Sequence, residues 1–156
     1  MTTKGPVPMA RMNLNEVAPE MYKAWFEVER AIHRSPLDPV VRELVKIRVS
    51  QMNGCVFCID LHTTDARLAG ETEKRIYQLN AWRESALYTP AERAALAYAE
   101  ATTRLTEHGV SDEIWDEVVK HFDEQALAGL VAVTAMINLW NRLGVPLRKR
   151  PEPVQG

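Results

Sequence analysis

A chain of 156 residues, 46% apolar and 26% charged, suits one domain with a sizeable core and is too short for a second. Its 19 basic and 21 acidic side chains leave a net charge of −2, so no nucleic acid and no membrane is expected as a partner. The opening MTTKGPVPMARMNLNEV holds no apolar run of signal-peptide length, and the expectation is a cytoplasmic protein.

Proline and glycine cluster at the two ends, so about the first 19 residues and everything after Pro146 read as arms around a core of about 19–147. Between them the apolar spacing is helical throughout and nothing alternates as a strand. Helices are predicted over 19–33, 38–52, 55–69, 71–84, 90–107, 112–122 and 124–143. The expected fold is therefore all-α, a bundle of about seven helices forming a single domain over 1–156. Thr89-Pro90-Ala91-Glu92 is a capping box with proline in the first helical position, and Gly70 and Gly109 sit where C-terminal caps belong.

The helix over 38–52 carries Val40, Val41, Leu44, Val45, Ile47, Val49 and Met52 as its apolar side. Glu43 lies on the edge of that stripe, where a solvated glutamate is the simplest reading from position alone, although the turn into Cys55 should pack this helix antiparallel to the next and could bring Glu43 alongside the cysteines. Arg48 projects near its middle and calls for a carboxylate partner or a subunit boundary, a structural role.

The chain then breaks at Asn53-Gly54 and restarts at Cys55, which the spacing puts in the first turn of the next helix, where the dipole favours thiolate. Cys55, Cys58, Ile59, His62, Asp65, Ala66 and Ala69 fall on one face of it. Cysteines three apart on a helix have Cα atoms ~5 Å from each other, within disulfide range. In a reducing compartment such a pair is catalytic, redox-sensing or metal-binding rather than a staple. His62 follows Cys58 by one turn and Asp65 can orient its ring, an arrangement suited to holding a thiolate and returning a proton to a leaving group. As a metal site the face supplies three ligands and lacks a fourth at structural spacing.

Other chemistry-bearing residues take plainer readings. Phe57, opposite the thiols, reads as core, and Trp82 and Trp140 as packing or as walls of an entrance to the thiols. His33, His108 and His121 sit near helix ends with no assigned function, and Arg142, Arg148, Lys149 and Arg150 make a solvated tail. The stretch 126–140 is shorter than the ~20 residues of a membrane span and reads as a buried helix. It is apolar nearly all round, so part of its cover is expected from self-association.

Glu43, eleven residues, then Cys55-x-x-Cys58-x-x-x-His62, with DARLAGETE and LNAW following, closely resembles the AhpD-like alkylhydroperoxidase branch of the carboxymuconolactone decarboxylase family, from about Met21 to Leu147. The resemblance implies an all-helical homotrimer or homohexamer and a peroxidase cycle on organic hydroperoxides, with an external dithiol or thioredoxin-like reductant. It implies Cys58 as the peroxidatic thiol, Cys55 as the resolving thiol and Glu43 with His62 as the proton relay, with no flavin, haem or metal cofactor. Thiol electrostatics alone nominate Cys55, nearer the helix end, as the more acidic sulfur. Phe57 stands where the family's best-studied members carry a second histidine. The alternatives are a lyase acting on a carboxylated lactone, whose family members generally lack the cysteine pair, and a non-enzymatic thiol sensor or metal binder.

Overall fold

The computed structural model describes residues 9–152, and among them every regular element is a helix. In chain order these are α1 (Leu14–Val17), α2 (Pro19–Arg34), α3 (Pro39–Asn53), α4 (Val56–Leu68), α5 (Glu73–Gln78), a 3-10 turn (Leu79–Ala81), α6 (Pro90–Thr103), α7 (Asp112–His121) and α8 (Glu124–Gly144). The all-α expectation holds, and every predicted helix is present. The short α1 has no counterpart in the sequence reading, since four residues are too few for a periodic signal.

Local chemistry fixes most starts. Pro19, Pro39 and Pro90 open their helices, where the missing N–H costs nothing. Thr89 and Glu92 close the capping box, and the side chains of Asp38, Thr72, Ser111 and Asp123 each accept from a first-turn N–H.

Two predicted boundaries move. The helix expected over 90–107 stops at Thr103, because Arg104 leaves helical geometry and Gly109 instead closes a separate turn back to the Thr106 carbonyl. The segment expected as one helix over 71–84 tightens into the 3-10 turn after Gln78. Residues three apart eclipse in that geometry, which sends both Leu79 and Trp82 into one apolar cluster.

Helix α3 is the axis of the fold and packs on α4, α6 and α8. Val41, Val45 and Val49 enter a cluster with Ala95, Ala99, Leu130, Val133 and Ile137, while Leu44 and Ile47 face a second one with Leu79, Trp82 and Leu96. Burying each of the larger chains contributes roughly 1.5–3 kcal/mol. Arg48 finds the carboxylate its position demanded: its Nε donates to Glu100 Oε1 at 2.8 Å, and Glu100 also accepts from Trp82 Nε1 at 2.9 Å and from Arg83.

At 21 residues, one more than predicted, α8 has the length and composition of a membrane span once the residues flanking the apolar stretch 126–140 are counted. Nine of its residues are nevertheless buried in this fold, including Asn141. Asn141 accepts from Asn53 Nδ2 at 2.9 Å and donates to Ser50 Oγ at 3.1 Å, so a polar clamp ties α8 to the end of α3 just before the cysteines. Val131 on its uncovered side and Val145 just past its end are exposed.

Candidate active site

Gly54 ends α3 with φ +68°, a left-handed conformation that glycine adopts at little cost. The Cys55 amide then bonds back to the Ser50 carbonyl at 3.0 Å, and Cys55 takes extended backbone. This makes Cys55 the N-cap of α4 rather than a first-turn residue as the sequence reading had it, because the left-handed glycine delays helical geometry by one residue. Its Sγ occupies the place of a capping oxygen and accepts from the Cys58 N–H at 3.4 Å. The two cysteines form a disulfide with a Cα separation of 5.3 Å.

Because α3 and α4 share this tight turn they run antiparallel, and Glu43 comes alongside His62. Glu43 Oε2 lies 3.4 Å from His62 Nδ1. Both atoms are buried and neither has a well-formed hydrogen bond among the described residues, so this contact is their pairing. Burial pushes the Glu43 carboxyl up, but the His62 hydrogen bond and the charges of Lys46, His62 and Arg42 outweigh it, so Glu43 is held below its ordinary value. The solvated boundary glutamate is thus corrected to a buried, histidine-paired one. Cys58 and His62 are 3% and 9% exposed, whereas Asp65 is exposed. One donor atom each from Glu43, His62 and Asp65 lie within 4.8 Å of one another, close enough to hold a divalent cation, with a donor set different from the cysteine cluster considered from sequence.

A cavity of about 900 Å³ opens between α2, α4 and α8 and is bordered by Cys58 and His62. Cys55 instead borders a separate cleft of about 170 Å³ beside Gly54 and Val145. The two cysteines therefore border different openings. Gly144 backs onto the disulfide so closely that a Cβ there would sit 3.0 Å from Cys55 Sγ.

Trp140 lines the cavity, with ring centroids 5.5 Å from Tyr22 and 5.3 Å from Phe26. Trp82 does not reach it; it is buried in the second cluster as the partner of Glu100. Phe57 is not simply core: it lines the cavity, and Lys149 Nζ stands 4.0 Å from its ring centre while donating to the Tyr22 hydroxyl at 2.9 Å. The reversal that returns Lys149 to this place runs through Arg148, whose φ is +57°. Residues read from sequence as arms thus form part of the cavity wall, and the Arg11 amide bonds the Leu147 carbonyl at 3.0 Å to join the two segments.

Sequence reasoning passed over one further element, a buried pair in which Lys46 Nζ donates to Glu29 Oε2 at 3.1 Å beneath Trp140, whose Nε1 donates to Glu29 Oε1 at 2.8 Å. The available signal was a lysine inside an apolar stripe one turn from Glu43. His33 and His121 sit at helix ends as expected, His33 Nδ1 2.8 Å from the Glu29 carbonyl and His121 Nε2 3.0 Å from Glu117.

A family model described as the carboxymuconolactone decarboxylase family matches residues 19–101, more than half of the chain. The chain belongs to that family. Within the carboxymuconolactone decarboxylase family it is similar to the uncharacterized protein YdfG of Bacillus subtilis, 46% identical over 140 residues covering 90% of this chain and 95% of that one. Among solved structures, a protein of unknown function from Agrobacterium tumefaciens, a candidate AhpD-type antioxidant defence protein, matches with a TM-score of 0.89 at 34% identity over 94% of this chain and 100% of that one. An uncharacterized peroxidase-related protein from Ralstonia eutropha with an alkylhydroperoxidase AhpD core shares the fold at a TM-score of 0.78 and 23% identity, covering 88% of this chain and 74% of that one. The chain is an AhpD-like member of the carboxymuconolactone decarboxylase family.

Proposed function

We propose that the protein is a thiol peroxidase that reduces organic hydroperoxides through a Cys55–Cys58 disulfide cycle. The observation that carries this reading is the wall of one cavity, where Cys58, already bridged to Cys55, stands one turn from a histidine paired with a buried carboxylate. In the reduced protein, Glu43 acting through His62 draws the proton from the Cys58 thiol. The thiolate attacks the terminal oxygen of the hydroperoxide and the O–O bond breaks. Cys58 becomes a sulfenic acid, and the departing alkoxide takes the proton from His62 to leave as alcohol. The Cys55 thiol then attacks the sulfenic sulfur, water departs, and the disulfide seen here forms. Per cycle, one hydroperoxide and two thiols give one alcohol, one water and one disulfide.

Electrostatics at the helix end favour either thiol, since both sulfurs lie at the N-terminus of α4. Cys58 is assigned the first attack because it borders the large cavity together with His62. Cys55, at the smaller cleft, is the natural entry for an external dithiol or thioredoxin-like reductant. The exposed Val131 on α8 supports assembly into a homotrimer or homohexamer, and a cysteine pair that must be re-reduced fits a cytoplasmic setting.

The test is intact mass and free-thiol count of the reduced protein before and after one equivalent of an organic hydroperoxide. Rapid loss of two hydrogens in the wild type, an oxygen adduct in Cys55→Ser and slow reaction in Cys58→Ser are expected. Thiol oxidation no faster than that of free cysteine would sink the reading. Activity that survives serine at both positions would transfer it to the lyase alternative.

A further inference from the structure

The cavity in front of Cys58 is amphipathic along its length. Helix α2 forms one side, from Tyr22 to Arg34, and twelve residues at ~1.5 Å each make that side ~18 Å long. Tyr22 marks the thiol end, because Lys149 touches both its hydroxyl and the ring of Phe57, the neighbour of Cys58. Past it come the apolar surfaces of Phe26, Leu61 and Trp140, and the far end carries Arg30 and Arg34.

The lining is also net basic. Five lysines and arginines line this cavity against three carboxylates, although the chain as a whole is net negative. Lys46 is paired with Glu29, whereas Lys149, which donates to Tyr22 and lies over Phe57, and Arg150 make no ion pair among the described residues but stand at the thiol end, where both also border the Cys55 cleft. Arg34 makes no ion pair among the described residues, and Arg30 meets only Glu27, an exposed contact one turn away that is worth little. Asp65 on the opposite wall pairs with neither.

Taking the peroxidase reading as its basis, we propose that the preferred substrate is a long-chain carboxylate hydroperoxide, its carboxylate held by Arg30 and Arg34 and its chain laid along Phe26, Leu61 and Trp140. An extended chain advances ~3.5 Å for every three bonds, so the ~12–18 Å of helix between Tyr22 and the two arginines corresponds to about ten to fifteen bonds from carboxylate to thiol end. A hydroperoxide well down the chain then reaches Cys58, while one next to the carboxylate does not. A guanidinium pair matches a carboxylate in geometry as well as charge, and the apolar wall excludes short polar peroxides from the same binding gain.

The experiment has two arms. The first measures oxidation of the reduced protein by an unsaturated C18 fatty-acid hydroperoxide and by its methyl ester, below their aggregation thresholds. The second measures equilibrium binding of the corresponding hydroxy acid and its methyl ester to the oxidised protein by calorimetry. The wild type should favour the acid over the ester by about tenfold or more in both half-saturating concentration and affinity. Arg30→Gln/Arg34→Gln should abolish that preference, and Arg104→Gln, outside the cavity, should retain it. Equal handling of acid and ester, or a preference that survives Arg30→Gln/Arg34→Gln and disappears in Arg150→Gln, overturns the proposal. Guanidinium-dependent binding of the hydroxy acid without oxidation by any hydroperoxide upholds the anionic-chain site and removes the peroxidase reading. Fast oxidation by a small alkyl hydroperoxide without acid preference does the reverse.

Discussion

Glu43 Oε2 and His62 Nδ1 lie 3.4 Å apart, on antiparallel helices joined by a turn of two residues, and neither atom has a well-formed hydrogen bond among the described residues. A buried carboxylate facing a buried imidazole orients that ring. Replacing Glu43 with Gln should lower the rate of Cys58 oxidation by about 10²–10⁴. His62→Gln should fall in the same range, and the double variant should lose little more than either single one, because the two act as a unit. Stopped-flow fluorescence of the reduced protein reads all three.

The pH dependence follows from Glu43 being held below its ordinary value of 4.5 by His62, Lys46 and Arg42 despite its burial. Ionised Glu43 is present above its folded pKa, so relay function is unaffected by this group from pH 7 to 5 and declines only as pH falls through a value below 4.5. A rate profile that loses its Glu43-dependent component above pH 5 would contradict the assignment.

Stability should fall in the same acid range. Burial pushes Glu100 up, but hydrogen bonds from Trp82, Arg83 and Arg48 leave it lowered. A depressed carboxylate contributes stability above its unfolded pKa and loses it as pH falls through the folded one. Urea midpoints for the wild type should therefore change little between pH 7 and 5 and drop below pH 4.5, with the drop reduced in Glu100→Gln. Arg48→Met should cost less than the ~3–5 kcal/mol of breaking an isolated buried pair, because Arg83 and Trp82 still serve Glu100.

Gly144→Ala separates the redox states. A helical alanine is ordinarily worth ~1 kcal/mol over glycine. Here its Cβ would lie 3.0 Å from Cys55 Sγ, an atom the disulfide pins in place. In the reduced protein the thiol can rotate away. The substitution should lower the melting temperature of the oxidised form, by overpacking of about 1–3 kcal/mol, and leave the reduced form much less affected. Differential scanning calorimetry with and without dithiothreitol decides it.

The all-helical class and the helix order were legible in the sequence because apolar spacing and caps agree at nearly every segment, as at Thr89-Pro90-Ala91-Glu92. So were the meeting of the cysteine and glutamate helices and the need of Arg48 for a carboxylate, since each follows from one helix and one turn. Less legible were features set by contacts distant in sequence. Trp82 and Trp140 look alike in the chain, and only the 3-10 turn after Gln78 sends the first away from the cavity. Phe57 reads as core because spacing alone cannot show that a segment ninety residues later brings Lys149 across it. The Glu29–Lys46 pair is similarly hidden, its partners lying on different helices seventeen residues apart.

Arg11 and Leu147 join the two terminal segments at the rim of the cavity, with Lys149 reaching from one of them to Phe57, one of the two residues between the cysteines. A dithiol domain fused at either end through a short flexible linker would therefore be tethered beside its own disulfide at an effective concentration in the millimolar range. Recycling in such a fusion would become unimolecular, its rate independent of protein dilution.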